Sequence, residues 1–169
     1  MPGDRLIILG RQGAGKGTQC VRLSRLFVVP HISTGDMLRS AVRERSPLGI
    51  VAGEIMDAGG LVDDETMVGI VKERLAKPDA MSRGYILDGF PRTVGQAEAL
   101  AGITEDLPIH VVIDLDVPRE IVLDRISSRR VCQDCGTNYT SSGDDPSPWI
   151  CDECGGDITQ RGDDTPEAV

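Results

Sequence analysis

Short apolar runs, each bounded by glycine, proline or charge, alternate along this chain with longer stretches whose apolar residues recur every three or four positions. Leu6-Ile7-Ile8-Leu9, Val28-Val29-Pro30-His31-Ile32, Gly84-Tyr85-Ile86-Leu87-Asp88 and His110-Val111-Val112-Ile113-Asp114-Leu115 read as strands. Helices are expected from the loop after the first run to Phe27, from a cap at Ser33 or Thr34 through Val42, and from Pro47 to near Gly59-Gly60. Asp63 caps a further helix with Met67, Ile70, Val71 and Leu75 on one face, and others run from about Val94 to Ala101 and from Pro118 to about Arg129. Strand and helix in alternation over the first 130 residues predict an α/β fold, a parallel sheet with helices on both faces. The helices of residues 33–76 form an insert between the second and third strands.

The pattern stops near Val131. Beyond it there are nine acidic residues to one basic residue, Arg161, whereas residues 1–130 hold 18 acids and 17 bases. The net charge of -9 is therefore concentrated in the last part, which argues against nucleic acid as a partner, because a phosphate backbone attracts positive surface. No apolar run approaches the ~20 residues of a membrane span, and Asp4 and Arg5 interrupt the N-terminal one. No membrane partner is expected, and the cytoplasm is the expected location.

Chemistry begins after the first strand. Gly10, Gly13, Gly15 and Gly17 let the backbone bend so that successive N–H groups converge at a helix N-terminus, the arrangement that cradles phosphate. Lys16 supplies a cation and Thr18 a hydroxyl. Gly17 separates the lysine from the hydroxyl residue, which a strict Walker A loop does not allow. The competing reading is a glycine-rich turn with a surface lysine.

The last part carries Cys132-x-x-Cys135 and Cys151-x-x-Cys154, a spacing that suits one tetrahedral ion held by two knuckles. Two disulfides are the alternative, disfavoured in a reducing compartment. A closed set of four thiolates leaves no open position, so the expected zinc is structural. Cys20 reads as a core residue.

Phosphoryl transfer is mostly positioning and charge neutralisation, and Lys16, Arg39, Arg92, Arg125 and Arg129 fall on turns and helix ends. Arg125 and Arg129 are expected on one helix face, where the plain alternative is a solvated surface pair. Asp88 closes an apolar strand and suits a magnesium ion with its waters, or else caps a turn. His31 and His110 read as packed strand residues.

Tyr85-Ile86-Leu87-Asp88-Gly89-Phe90-Pro91-Arg92-Thr93-Val94-Gly95-Gln96 resembles the adenylate kinase signature, and GAGKGT, TGDMLR and DRISSRR are similar to that family in the same order. The cysteine lobe resembles the LID of its long, metal-binding bacterial members. The resemblance implies a P-loop core of residues 1–32 and 77–130, an AMP-binding insert of 33–76 and a zinc-binding LID of 131–169. It implies MgATP + AMP giving two ADP, with kinases for other monophosphates, or a chain that binds nucleotide without turnover, as alternatives. Gly13, Ala14, Gly15, Lys16, Gly17, Thr18 and Arg125 would hold ATP. Thr34, Arg39, Gly89, Arg92, Gln96 and Arg161, with main chain at Leu61 and Val62, would hold AMP. Lys16, Arg92, Arg125, Arg129 and Arg161 would stabilise the transferring group, and Asp36 and Asp88 would hold hydrated Mg2+. Cys132, Cys135, Cys151 and Cys154 would hold Zn2+. Asp163 and Asp164 match the LID pattern, and Gln12 stands where the family has proline. The family continues past this point with another phosphate-binding arginine, a fifth strand and a helix, so the chain reads as truncated at its C-terminus and, when full length, as a monomer.

Overall fold

Leucine and isoleucine occupy both faces of β1 (Arg5–Gly10), so neither face can meet water. The structure, a computed structural model, describes residues 3–57, 62–141, 149–161 and 164. They form two units, Met1–Leu9 with Lys16–Leu115, and Gly10–Gly15 with Asp116–Val169.

In the first unit β1 lies between β3 (Tyr85–Asp88) and β4 (Val111–Leu115), with β2 (His31–Ser33) outside β3. The registered pairs β1–β3 and β2–β3 are parallel. Alternation along the strands sorts the core into two layers. Ile7, Ile32 and Leu87 pack with Val71 and Leu75 of α4 (Asp64–Leu75) and Leu100 of α6 (Val94–Ile103). Leu6, Ile8 and Ile86 pack with Cys20 of α1 (Lys16–Phe27) and with Val29. Helices therefore cover both faces, as the sequence predicts.

Local chemistry sets most boundaries. The Ser33 hydroxyl accepts from Asp36 N–H at 3.3 Å to open α2 (Thr34–Arg43), and Asp63 accepts from Thr66 N–H at 2.8 Å to open α4. α3 (Pro47–Asp57) starts at its proline. The short α5 (Pro78–Arg83) is absent from the sequence reading, although Pro78 at its first turn was a usable signal.

Two expectations fail in this unit. The second strand begins at His31, not Val28, because Val28 and Val29 close α1: Val29 N–H donates to Ser24 O at 3.2 Å and Val28 takes a φ of +57°. Nor is His110 packed in a strand. It is exposed, precedes β4, and accepts from the buried Arg5 guanidinium, with Nη2 and Nε2 2.9 Å apart.

Val28 itself is 68% exposed, so its side chain contributes little packing to offset the left-handed backbone. Glycine there removes a steric cost of ~1–2 kcal/mol, against ~0.4–1 kcal/mol for its looser unfolded chain. Val28→Gly should therefore raise stability by about 0.5–1 kcal/mol. A higher urea midpoint at unchanged slope is the expected result, and a lower midpoint would contradict the argument.

The second unit holds α7 (Arg119–Ser128) and a four-stranded antiparallel sheet, absent from the sequence reading. Its strands are β5 (Arg129–Cys132), β6 (Asn138–Thr140), β7 (Trp149–Ile150) and β8 (Asp157–Thr159), in the order β6-β5-β8-β7. Their core is small: Cys132, Cys151 and Ile158, with Tyr139 and Trp149 against them. With strands of two to four residues, hydrophobic periodicity has too few repeats to register.

Candidate functional site

In the first unit the register brings the strand ends level, since Ile8 and Ser33 both pair with Asp88. Gly89 follows with a φ of +74°, its N–H donating to Ile8 O at 3.1 Å. A Cβ on Gly89 would lie 3.4 Å from Arg92 Nη2, 3.7 Å from Thr34 Oγ1 and 3.9 Å from Lys16 Cε. Three residues from distant parts of the sequence thus converge on one backbone position that only glycine fits comfortably.

Each neighbour is held. Thr34 is buried, its hydroxyl between Asp88 O at 3.2 Å and Gly89 O at 3.3 Å. Arg92 Nε donates to Gly89 O at 2.8 Å. Arg92 N–H donates to Gln96 Oε1 at 2.8 Å, and Gln96 Nε2 donates to Asp64 Oδ1 at 2.6 Å. Asp64 also accepts from the Thr93 hydroxyl. The sequence reading missed Asp64, because a contact 32 residues away leaves no local signal. Asp88 is buried, with Oδ2 3.1 Å from His31 Nε2 and 3.8 Å from where a Gly17 Cβ would sit. His31, partly buried in β2 as the sequence predicts, lies within hydrogen-bond distance of Asp88. Asp36 lies in the first turn of α2, and Thr18 in α1. The Arg39 side chain and Leu61 lie outside the described residues, while Val62 is half-buried.

In the second unit Gly13 and Gly15 have φ of +78° and +97°. A Cβ on Gly13 would meet Ile126 Cγ1 at 2.8 Å and Val122 Cγ1 at 3.0 Å, so α7 and the backbone both require glycine. Ala14 is buried, and its carbonyl accepts from Arg125 Nη1 at 3.2 Å. Arg129 does not share a helix face with Arg125. It ends α7 in extended backbone and opens β5 opposite Thr140, because strand pairing takes the chain there. Its guanidinium forks onto Asp164, Nε to Oδ2 at 2.9 Å and Nη2 to Oδ1. Gln12 Nε2 donates to the same carboxylate at 2.9 Å. Gln12, where the family has proline, thus helps satisfy the buried carboxylate of Asp164. Arg161 is half-buried, its carbonyl accepting from Asp164 N–H at 3.1 Å. Asp163 lies outside the described residues.

The four cysteines of this unit come together. Their sulfurs lie within 4.8 Å of one another, with Cys132–Cys154 at 3.4 Å and Cys135–Cys151 at 3.5 Å. None forms a disulfide. A tetrahedral ion with bonds of ~2.3 Å to sulfur separates its sulfurs by about 3.8 Å, so donors and spacing fit such an ion. The Tyr139 hydroxyl at 3.2 Å draws the Cys151 thiol down to about 6, and the Thr137 hydroxyl lowers Cys135. Cys154 is up at about 12, where its backbone contact with Gly156 opposes the rise but the neighbouring thiols outweigh it.

A family model described as adenylate kinase matches residues 8–169. The adenylate kinase of Bacillus subtilis (strain 168) is 52% identical over 136 residues, 79% of this chain and 62% of the relative. That of Geobacillus sp. (strain WCH70) is 50% identical over 136 residues, with the same shares, and that of Staphylococcus aureus (strain Mu50) is 51% identical over 136 residues, 79% of this chain and 63% of the relative. The chain spans about three-fifths of the length of these curated relatives.

Proposed function

Because the chain belongs to the adenylate kinase family, we propose that this protein reversibly transfers the terminal phosphoryl group of MgATP to AMP, giving two ADP. The convergence of Lys16, Thr34 and Arg92 on Gly89, one residue beyond Asp88, carries the reading. It sets two cations and a carboxylate at one set of strand ends, where α/β folds take their ligands.

In this reading the N–H groups of Gly13 to Thr18 and the Lys16 ammonium hold the ATP phosphates. Arg92 and Arg39 hold the AMP phosphate, Thr34 and Gly89 line its site, and Gln96 with main chain at Leu61 and Val62 selects adenine. Asp88 and Asp36 would orient the waters of a magnesium ion brought with ATP, and that ion would supply neutralising charge to the phosphates. Arg125, Arg129 and Arg161 stabilise the phosphoryl group in flight, which is how charge-neutralising cations accelerate such transfers. Residues 1–32 and 77–130 act as the core. Residues 33–76 and 131–169 act as closing parts that exclude water, which otherwise accepts the phosphoryl group. Cys132, Cys135, Cys151 and Cys154 would hold a structural Zn2+ in the second closing part. Among the described residues no helix is long and apolar enough to cross a membrane. We place the protein in the cytoplasm and, when full length, read it as a monomer.

Phosphorus NMR of the protein with MgATP and AMP, then with CMP, UMP or GMP, tests this. ADP formed with AMP is the expected result. Turnover only with another monophosphate would replace the acceptor, and binding of ATP and AMP without turnover would make this chain a nucleotide-binding module.

A further inference from the structure

Among the described residues of the first unit, the buried thiol of Cys20 has no role in the proposed reaction. Cys20 lies in the second turn of α1 with no exposed surface. Its sulfur, His31 Nε2 and an Asp88 carboxylate oxygen all lie within 4.8 Å of one another. These three donors come from α1, the start of β2 and the end of β3, and two constraints hold them in place. The pairing of His31 with Ile86 and of Ser33 with Asp88 sets the strand ends, and Cys20 packs against Ile8, Val29 and Ile86.

The geometry points to Cys20, His31 and Asp88 as a second metal site, for a thiolate-binding divalent cation of the zinc and cadmium class. A tetrahedral ion with bonds of ~2.0–2.3 Å sets unlike donors about 3.3–3.6 Å apart. The His31–Asp88 separation of 3.1 Å and the overall spread below 4.8 Å need only small adjustments to match. Thiolate and imidazole select zinc or cadmium over magnesium, which takes oxygen ligands. Three protein donors leave one position for an exogenous ligand.

The charged groups facing the thiol are Asp88, which together with burial keeps it protonated, and Lys16 one turn earlier, which opposes that effect. Binding therefore displaces the Cys20 proton: the S–H bond breaks, the sulfur pair forms the bond to the ion, and the proton leaves to solvent. An ion there occupies the Asp88 carboxylate. With Asp88 orienting the magnesium waters, as in the proposed function, occupancy inhibits transfer.

Cadmium-113 NMR of the nucleotide-free protein decides the site. Titration should give one resonance in the four-thiolate range, from Cys132, Cys135, Cys151 and Cys154. It should then give a second, upfield, from a shell with a single sulfur. Cys20→Ala should weaken the second ion at least ~10-fold, the least that disturbing a metal site's surroundings costs, and leave the first unchanged. His31→Asn, at a half-buried ring, should do the same and covers the case in which Cys20→Ala fails to fold. A single resonance at two equivalents, or a second one that survives both substitutions, would overturn the site. No nucleotide is present, so absence of phosphoryl transfer leaves this result standing.

Discussion

Removing the metal from the zinc-loaded protein should unfold β5 to β8 while the four-stranded parallel sheet of the first unit stays folded. Among its described residues the antiparallel lobe buries four apolar side chains, Val131, Cys132, Cys151 and Ile158, and two of them are proposed ligands. Burying one valine and one isoleucine contributes only ~3–6 kcal/mol, less than the backbone entropy of ordering four strands. Structural zinc on such knuckles contributes ~10–16 kcal/mol of apparent binding free energy near neutral pH, which is then the folding free energy of the lobe. Trp149, the one tryptophan in the sequence, packs against this core and reports on it directly. Chelator should shift its emission to that of a water-exposed indole, and zinc should restore it. Acid should act in the same way. Protons compete with the ion for the four thiolates, so falling pH should release the ion and unfold the lobe. An emission spectrum indifferent to chelator would mean that the lobe stands without a metal.

Lys16→Met should lower the proposed phosphoryl transfer by about 10²–10³-fold, the usual cost of one preorganised charge or donor aimed at developing negative charge. Lys16 is the first residue of α1, and its Cε lies 3.9 Å from the Cβ position of Gly89. Its charge therefore stands where Arg92 and Thr34 also converge. Methionine keeps the length and the helix propensity, so α1 and the parallel sheet should persist, and circular dichroism serves as the control. The loss should fall mainly on kcat. A group equally engaged with bound ATP and with the transition state would instead raise KM alone. Turnover within threefold of the parent would remove Lys16 from the phosphate site.

Features set by residues near one another in the chain are legible in the sequence. The glycine loop, the caps at Ser33 and Asp63, the apolar strands and the paired Cys-x-x-Cys knuckles each involve partners within a few residues, so a local pattern carries the physics. Where the local pattern was ambiguous, it misled. Val28 and Val29 look like the start of a buried strand, yet closing α1 takes them first. Arg125 and Arg129 have helical spacing, yet pairing of Arg129 with Thr140 ends the helix between them.

Other relations were decided only by the folded chain. Gly13 needs its missing side chain because Val122 and Ile126 stand against it, and Gln12 and Arg129 meet on Asp164. Asp64 gathers Thr93 and Gln96, and Cys20, His31 and Asp88 share one buried corner. Each joins residues at least 29 positions apart, except Cys20 and His31, which a turn and a strand bring together. Sheet register and helix packing set such meetings, and those are properties of the whole fold. A sequence window holds the chemistry of each partner but not the distance between them.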